Sequence, residues 1–371
     1  MIRPATARDL AAMVSLEQRC FEMDRISPRQ FRYLVRRGRA SILVAEREGR
    51  VVGTAVTLFR KGVSLARLYS IAVDTAARGC GVGRDLLDTA EREARRRGCV
   101  YMRSEIRPDN RASIGLFESL GYRRFGLYPD YYEDHSQALR FEKRLVQRRE
   151  FRGIRVPYYR QTLDFTCGSA SVLMAMKAID PGFRADRSME IRVWREATTV
   201  FMTAGHGGCG PYGLALAAQN RGFDTAVYIS RPSGLFVDSD RDEEKKAVIR
   251  LVEDDFRKEV RSAGIPVLTR KLTAELLTEA LDAGRIPVVL ISSYRLYEET
   301  FPHWVVVTGS DETFFYLHDP YVDTERGRTE TDCMDLPVSK LEFERMTRYG
   351  RDDLQAALLI GPRTDQRNRG G

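Results

Sequence analysis

The run Arg78-Gly79-Cys80-Gly81-Val82-Gly83 constrains this chain more than any other, because it joins an apolar strand to a long helix. The strand reads Leu68-Tyr69-Ser70-Ile71-Ala72-Val73, and the helix spans about 82–97. Three alternate glycines strip the turn of side chains, so backbone N–H groups can converge on an anion. The helix N-terminus behind them adds partial positive charge, and Arg78 adds a full one. That geometry suits a pyrophosphate, although such glycines also mark ordinary strand–helix turns.

The next segment discriminates. Tyr101-Met102-Arg103-Ser104-Glu105-Ile106-Arg107 reads as a strand, Pro108-Asp109-Asn110 breaks it, and a helix over 112–120 stops at Gly121-Tyr122. The Arg-x-x-Gly-x-Gly turn (Arg78, Gly81, Gly83) and the segment Asn110, Ser113, Leu116, Phe117, Glu118, Gly121, Tyr122 resemble the GNAT family of acetyl-CoA-dependent N-acetyltransferases over residues 1–145. The resemblance implies the acyl-CoA N-acyltransferase fold, acetyl-CoA as cofactor, and cofactor contacts from Ile71, Ala72, Val73, Arg78, Gly79, Cys80, Gly81, Val82, Gly83, Arg84, Asn110 and Phe117.

At 371 residues the chain is long enough for two domains of about 150 residues each. Residues 1–150 carry 30 Lys and Arg against 19 Asp and Glu, a net +11; the remainder carries 30 against 33, a net −3. A basic first half fits an anionic cofactor. Its arginines lack interleaved aromatics or a recognition motif, which disfavours nucleic acid. No apolar run approaches the roughly 18 residues of a membrane span. With no signal-peptide core and six scattered cysteines, the expectation is a cytoplasmic protein without a disulfide framework.

Helices are expected over 7–21 and 27–37, and strands over 41–47, 51–59 and 65–73. After the glycine turn and its helix come a strand over 100–107, a helix over 111–120, and strands near 122–128 and 137–144. The charged stretch 147–153 is expected to link residues 1–146 to a second domain over 154–361, with 362–371 a disordered tail. Asp180 and Asp224 read as turn residues and Trp194 as core. Residues 238–246 read as a surface loop opening a helix.

Aminolysis of a thioester needs a base for the amine and an acid for the departing thiolate. Glu105 is the candidate base; otherwise it fixes a strand edge near Arg103 or Arg107. Tyr131 and Tyr132 are candidate acids, with spacing slightly favouring Tyr132, or they form a hydrophobic lid. Tyr128-Pro129-Asp130-Tyr131-Tyr132 resembles the tyrosine pair of ribosomal-protein-alanine N-acetyltransferases, where one of the pair protonates the leaving coenzyme A. Arg107 is expected on phosphates or solvent.

In the second half, Cys167-Gly168 opens an apolar helix, a position where the dipole favours a thiolate. Gln161 could supply an amide to an oxyanion at that sulfur. Of four histidines, His303 opens an apolar strand, and a second strand ends in His318-Asp319-Pro320. If the hairpin centres on Asp311, His303 and Asp319 face each other. The carboxylate would then orient the ring toward Cys167. His206-Gly207-Gly208-Cys209 lacks partners at zinc-site spacing and reads as a glycine-rich loop, so no metal is expected.

Gln161, Cys167-Gly168, His303-Trp304-Val305 and Asp319-Pro320, with Gly210-Pro211-Tyr212-Gly213-Leu214 between them, resemble the papain-fold peptidases that trim double-glycine leaders from bacteriocins. Those peptidases are commonly fused to a membrane exporter, whereas this chain carries an acetyltransferase, so the double-glycine preference is not carried over. The expected architecture is an α/β GNAT fold followed by an α+β papain-like cysteine peptidase fold. The expected partner is a peptide or protein, including ribosomally made precursor peptides. The alternative is a peptidase-like domain that binds a peptide without cutting it.

Overall fold

The structure, a computed structural model, describes all residues except 37–38, 147–150, 199–206, 233, 235, 238–242, 300, 325–327, 351 and 364–371. It divides into two units, Met1–Arg148 and Arg149–Gly371.

The first unit is built on strands β1 (Ile2–Pro4), β2 (Ala40–Arg47), β3 (Arg50–Phe59), β4 (Leu65–Val73), β5 (Tyr101–Ile106), β6 (Arg123–Tyr128) and β7 (Ala138–Arg144), ordered β1-β2-β3-β4-β5-β7-β6. Its helices are α1 (Leu10–Cys20), α2 (Pro28–Arg36), α3 (Val82–Arg96) and α4 (Arg111–Ser119). The period of two along the strands covers both faces of the sheet. Leu43, Ala45 and Ala55 pack with Leu86, Leu87, Ala90 and Ala94 of α3. Ile42, Val44 and Val56 pack with Met13 of α1 and Phe31 of α2.

Among the strand pairs of this sheet only β4 and β5 run parallel, and their ladder is short: Leu65↔Tyr101, Ala66↔Met102 and Arg67↔Arg103. Beyond it the strands splay. Tyr69 is a bulge, because the β3 register jumps from Val56↔Ser70 to Thr57↔Leu68. The Ser104 hydroxyl donates to the Leu68 carbonyl across the mouth at 3.0 Å. Past it Ile71, Ala72 and Val73 pair with β3 and have no ladder partner on the β5 side among the described residues, on the way to the glycine turn.

The second unit contains β8 (Arg152–Gly153), β9 (Phe223–Ile229), β10 (Val267–Thr269), β11 (Ile286–Ser292), β12 (Pro302–Ser310), β13 (Phe314–His318), β14 (Leu336–Ser339) and β15 (Ala356–Arg363). The sheet runs β10-β9-β15-β11-β12-β13-β14, with β8 paired to β12. Among the described residues it is accompanied by the helices α5 (Cys167–Ile179), α6 (Arg187–Ala197), α7 (Pro211–Gln219), α8 (Glu243–Ser262), α9 (Ala274–Asp282), α10 (Tyr294–Tyr297) and α11 (Lys340–Met346). Residues Gly168 to Met176 of α5 are all buried. A helix apolar on every side belongs in a core. Val172 to Met176 join a cluster containing Val288, Leu290, Trp304, Val306, Leu358 and Ile360 of the sheet.

Three expectations about the chain's organisation change. Arg152 and Gly153, assigned to the linker, pair with Ser310 and Gly309; residues 147–150 of that linker lie outside the described residues. Pro362 and Arg363, assigned to the tail, lie in β15, held by the Arg363↔Phe223 pairing; the rest of the tail lies outside the described residues. Asp224 is a strand residue paired with Gly361, and its carboxylate accepts a hydrogen bond from Arg285. Short polar residues in a strand pattern read as turns until the partner strand is known. Of the run 238–246, residues 238–242 lie outside the described residues, and α8 begins at Glu243.

Candidate active sites

The glycine turn of the first unit has the backbone its sequence demands. Gly79 and Gly81 sit at φ +76° and +81°, with Gly81 capping α3 in the left-handed region. The first N–H groups of α3, from Val82, Gly83 and Arg84, have no intrahelical carbonyl to serve. Arg78 donates from Nε to the Val73 carbonyl at 3.2 Å, fixing the turn to the end of β4. Arg84 reaches Ser119 Oγ at 3.1 Å, and Cys80 is exposed, its carbonyl accepting from Arg47. Bare backbone donors, an open splay and two arginines fit a nucleotide diphosphate with an extended arm.

Asn110 caps α4, its side-chain oxygen accepting from the Ser113 N–H at 3.0 Å. Phe117 is only 1% exposed and packs edge-on against Tyr122.

Glu105 is clamped. Its oxygens accept from Arg67 Nε at 2.7 Å and Arg140 Nε at 3.2 Å, with the side chain almost wholly buried. The partners are therefore Arg67 and Arg140 rather than Arg103 or Arg107. Arg103 pairs instead with Glu142. Arg107 pairs with Asp134 at 2.8 Å and covers the Tyr132 ring at 4.8 Å, contrary to a phosphate-facing role. That guanidinium holds the Asp134 carboxyl well below the usual carboxylate range.

Tyr131 and Tyr132 meet edge-on at 4.8 Å. The Tyr131 hydroxyl accepts from Arg67 at 2.6 Å, while the Tyr132 hydroxyl forms no hydrogen bond among the described residues. Burial raises both phenols, so each holds its proton at neutral pH.

In the second unit Cys167 is half-buried at the N-terminus of α5, and α5 packs on β12. Gly168 permits that approach: a Cβ there would meet Trp304 Cδ1 at 3.1 Å and Cys209 Cβ at 3.2 Å. The Ser171 hydroxyl donates to the Trp304 carbonyl at 3.1 Å, fixing helix to strand one residue past His303. His303 is buried, with Nε2 at 2.7 Å from Asp319 Oδ1. Cys167 is near enough to the same ring to act on its charge, and with Nε2 held by Asp319 the other ring nitrogen is Nδ1. Burial by itself would push the imidazolium down, but the Asp319 carboxylate, with Cys167 beside it, raises it to about 10.

His303 and Asp319 meet by a route other than the simple hairpin. The strands pair Ser310↔Phe315 at the turn and, past a bulge at Thr308, Val306↔His318, so His303 does not sit directly opposite Asp319. Asp311 caps the turn through its side chain, accepting from the Phe314 N–H at 2.8 Å, which moves the turn centre later than assumed. Asp319 then leaves the strand just past His318 and reaches His303 diagonally. Gln161 is buried; its amide donates to the Leu163 carbonyl at 2.9 Å, leaving one N–H for a ligand, while its Oε1 has no partner.

A family model described as the Peptidase_C39 like family matches residues 156–361, more than half of the chain. The chain belongs to the Peptidase_C39 like family. A second model, the Acetyltransferase (GNAT) family, matches residues 10–122, and the first unit carries a GNAT acetyltransferase domain. Acetyl-CoA is the acyl donor of that family. Solved structures similar to the first unit include the ribosomal-protein-S18-alanine N-acetyltransferase of Escherichia coli: 27% identity, 40% of this chain and 96% of that chain, TM-score 0.37. Others are a ribosomal-protein-alanine N-acetyltransferase of Brucella melitensis (29%, 39% and 99%, TM-score 0.34) and a Salmonella typhimurium acetyltransferase with acetyl-CoA (26%, 40% and 96%, TM-score 0.36). An uncharacterized protein of Mycobacterium leprae is 45% identical over 69 residues, which is 18% of this chain; the chain spans 17% of that relative's length.

In the Peptidase_C39 like unit, several contributors escaped sequence reasoning. The Tyr297 hydroxyl donates to Asp319 Oδ2, and the Tyr321 N–H donates to Oδ1 at 3.0 Å. Tyr297, Phe301 and Tyr321 pack edge-on around the His303 ring. The aromatic spacing 297, 301, 303, 321 was the available signal, but aromatic residues near a buried strand look like any core. Among the described residues no three metal-ligating side chains cluster, and no helix is long and apolar enough to cross a membrane. His206 lies outside the described residues.

Proposed function

We propose that the chain is bifunctional: an acetyl-CoA-dependent N-acetyltransferase acting on a peptide or protein amine, followed by a cysteine peptidase. The observation that carries the second half is the buried His303–Asp319 pair at 2.7 Å, with Cys167 close enough to help raise the ring's pKa. In that reading Cys167 attacks the scissile carbonyl and His303 protonates the leaving amine. Asp319 orients the ring, and the second Gln161 N–H binds the oxyanion.

In the first half, Ile71, Ala72 and Val73 line the open strand edge, and the N–H groups of Gly79, Gly81, Val82, Gly83 and Arg84, with Arg78, would hold the diphosphate. Bound acetyl-CoA supplies the activated acyl group. Tyr132 Oη, uncommitted and protonated, is the atom placed to give up a proton, while Tyr131 is held by Arg67. Glu105 keeps the cleft floor in place. The amine's proton then leaves through solvent.

Mass spectrometry of peptides incubated with the full chain and acetyl-CoA tests both halves. Tyr132→Phe should lower acetyl transfer about a hundredfold and leave cleavage unchanged. Cys167→Ala should abolish cleavage and leave transfer unchanged. Loss of both activities in either variant would contradict two separate chemistries.

A further inference from the structure

Glu190 is 0% exposed, and no lysine or arginine pairs with it among the described residues. Instead its carboxylate gathers one loop. Oε2 accepts from the Tyr159 hydroxyl at 2.9 Å and the Thr162 hydroxyl at 2.8 Å; Oε1 accepts from the Thr162 N–H at 2.8 Å. The Thr166 hydroxyl gives its one proton to Oε1 at 2.5 Å and accepts from the Leu163 N–H at 3.3 Å, with the Leu163 carbonyl 2.8 Å away. These residues bracket Gln161 and end one residue before Cys167. The Leu163 carbonyl touched by Thr166 is the same atom that receives the Gln161 amide.

Burying a carboxylate without a counter-ion is costly unless its lone pairs are filled, and only a carboxylate accepts from every one of these donors. An amide would turn an NH2 toward a hydroxyl or an N–H. The carboxylate is thus spent on holding the 159–166 segment in one shape.

Resting on the peptidase reading above, we infer that Glu190 is a positioning residue for the oxyanion site: through the Thr166 hydroxyl it fixes Leu163, and with it the direction of the free Gln161 N–H. It acts through Gln161 and touches neither sulfur nor substrate. The nucleophile and imidazole sit on α5 and β12, outside this loop, so sulfur reactivity and oxyanion binding should separate when Glu190 is changed.

Two probes read the two properties in the full chain. Iodoacetamide alkylates sulfur without forming an oxyanion. Acetyl-glycyl-glycinal adds to sulfur through its carbonyl carbon, and the carbonyl oxygen takes up a proton as the hemithioacetal forms. Glu190→Gln should weaken aldehyde binding about tenfold or more. Alkylation of Cys167 should change less than about threefold. Gln161→Ala should lose a similar factor, and the double variant should lose little beyond either single one, because both remove the same N–H.

Equal aldehyde binding by wild type and Glu190→Gln, or additive losses in the double variant, would overturn the role. A parallel fall in alkylation and aldehyde binding would also overturn it, reducing Glu190 to a general stability residue. A wild-type chain that binds no aldehyde fails differently: the peptidase reading itself falls, and this role with it.

Discussion

Replacing Asp319 by asparagine should cost three to four orders of magnitude in peptide cleavage, about what losing the orienting carboxylate costs a serine protease triad. Asp319 is fully buried and accepts from His303, Tyr297 and the Tyr321 N–H. An amide cannot accept from all three; its NH2 must face at least one donor, so the ring loses its direction. The variant should also change the pH profile. Asp319 is what lifts His303 to about 10 against the opposing effect of burial. Raising the pH through that value removes the proton needed by the leaving amine, so the wild-type alkaline limb should lie near 10. Without the carboxylate, the limb should shift down toward or below the ordinary histidine value of about 6.5. Cleavage rates from about pH 5 to about pH 11, spanning both ring values, check this, with melting temperature as a folding control. An unmoved alkaline limb would mean that another group supplies the proton.

Gly81→Val should weaken acetyl-CoA binding about a hundredfold, close to 2.7 kcal/mol. Gly81 caps α3 at φ +81°, where a β-branched residue is strained. Relief of that strain must rotate the peptide units on either side, turning their N–H groups away from the diphosphate. Nothing lies within 4 Å of a Cβ at this position, so the change crowds no packed side chain and the unit should stay folded. Calorimetry with acetyl-CoA checks the affinity. Wild-type binding by Gly81→Val would show that the turn does not cradle the nucleotide.

Local features were legible where one segment carries the whole signal. The strand at Leu65–Val73 and the helix at Val82–Arg96 follow from apolar periodicity broken by glycine. Cys167 at a helix start and His303 in an apolar strand stand out because both residue types are scarce in this chain. Long-range pairings were not legible. Glu105 meets Arg67, 38 residues away, and Arg140, 35 residues away, while the arginines nearest in sequence pair elsewhere. Glu190 resembles any acidic residue of an amphipathic helix until the 159–166 loop folds over it. The hairpin arithmetic missed the turn, which centres between residues 312 and 313 rather than on Asp311, since polar turn residues do not mark which of them closes the hairpin.

The chain supplies its own reference for the most direct test. Cys80 is exposed on the glycine turn, whereas Cys167 is only partly accessible, so access alone favours Cys80. Limiting iodoacetamide at neutral pH, followed by peptide mapping, ranks all six cysteines in one experiment. An imidazole poised beside sulfur should place Cys167 first, and His303→Ala should drop it behind Cys80. Preferential labelling of Cys80 in the wild type, unchanged by His303→Ala, would contradict a nucleophile at residue 167.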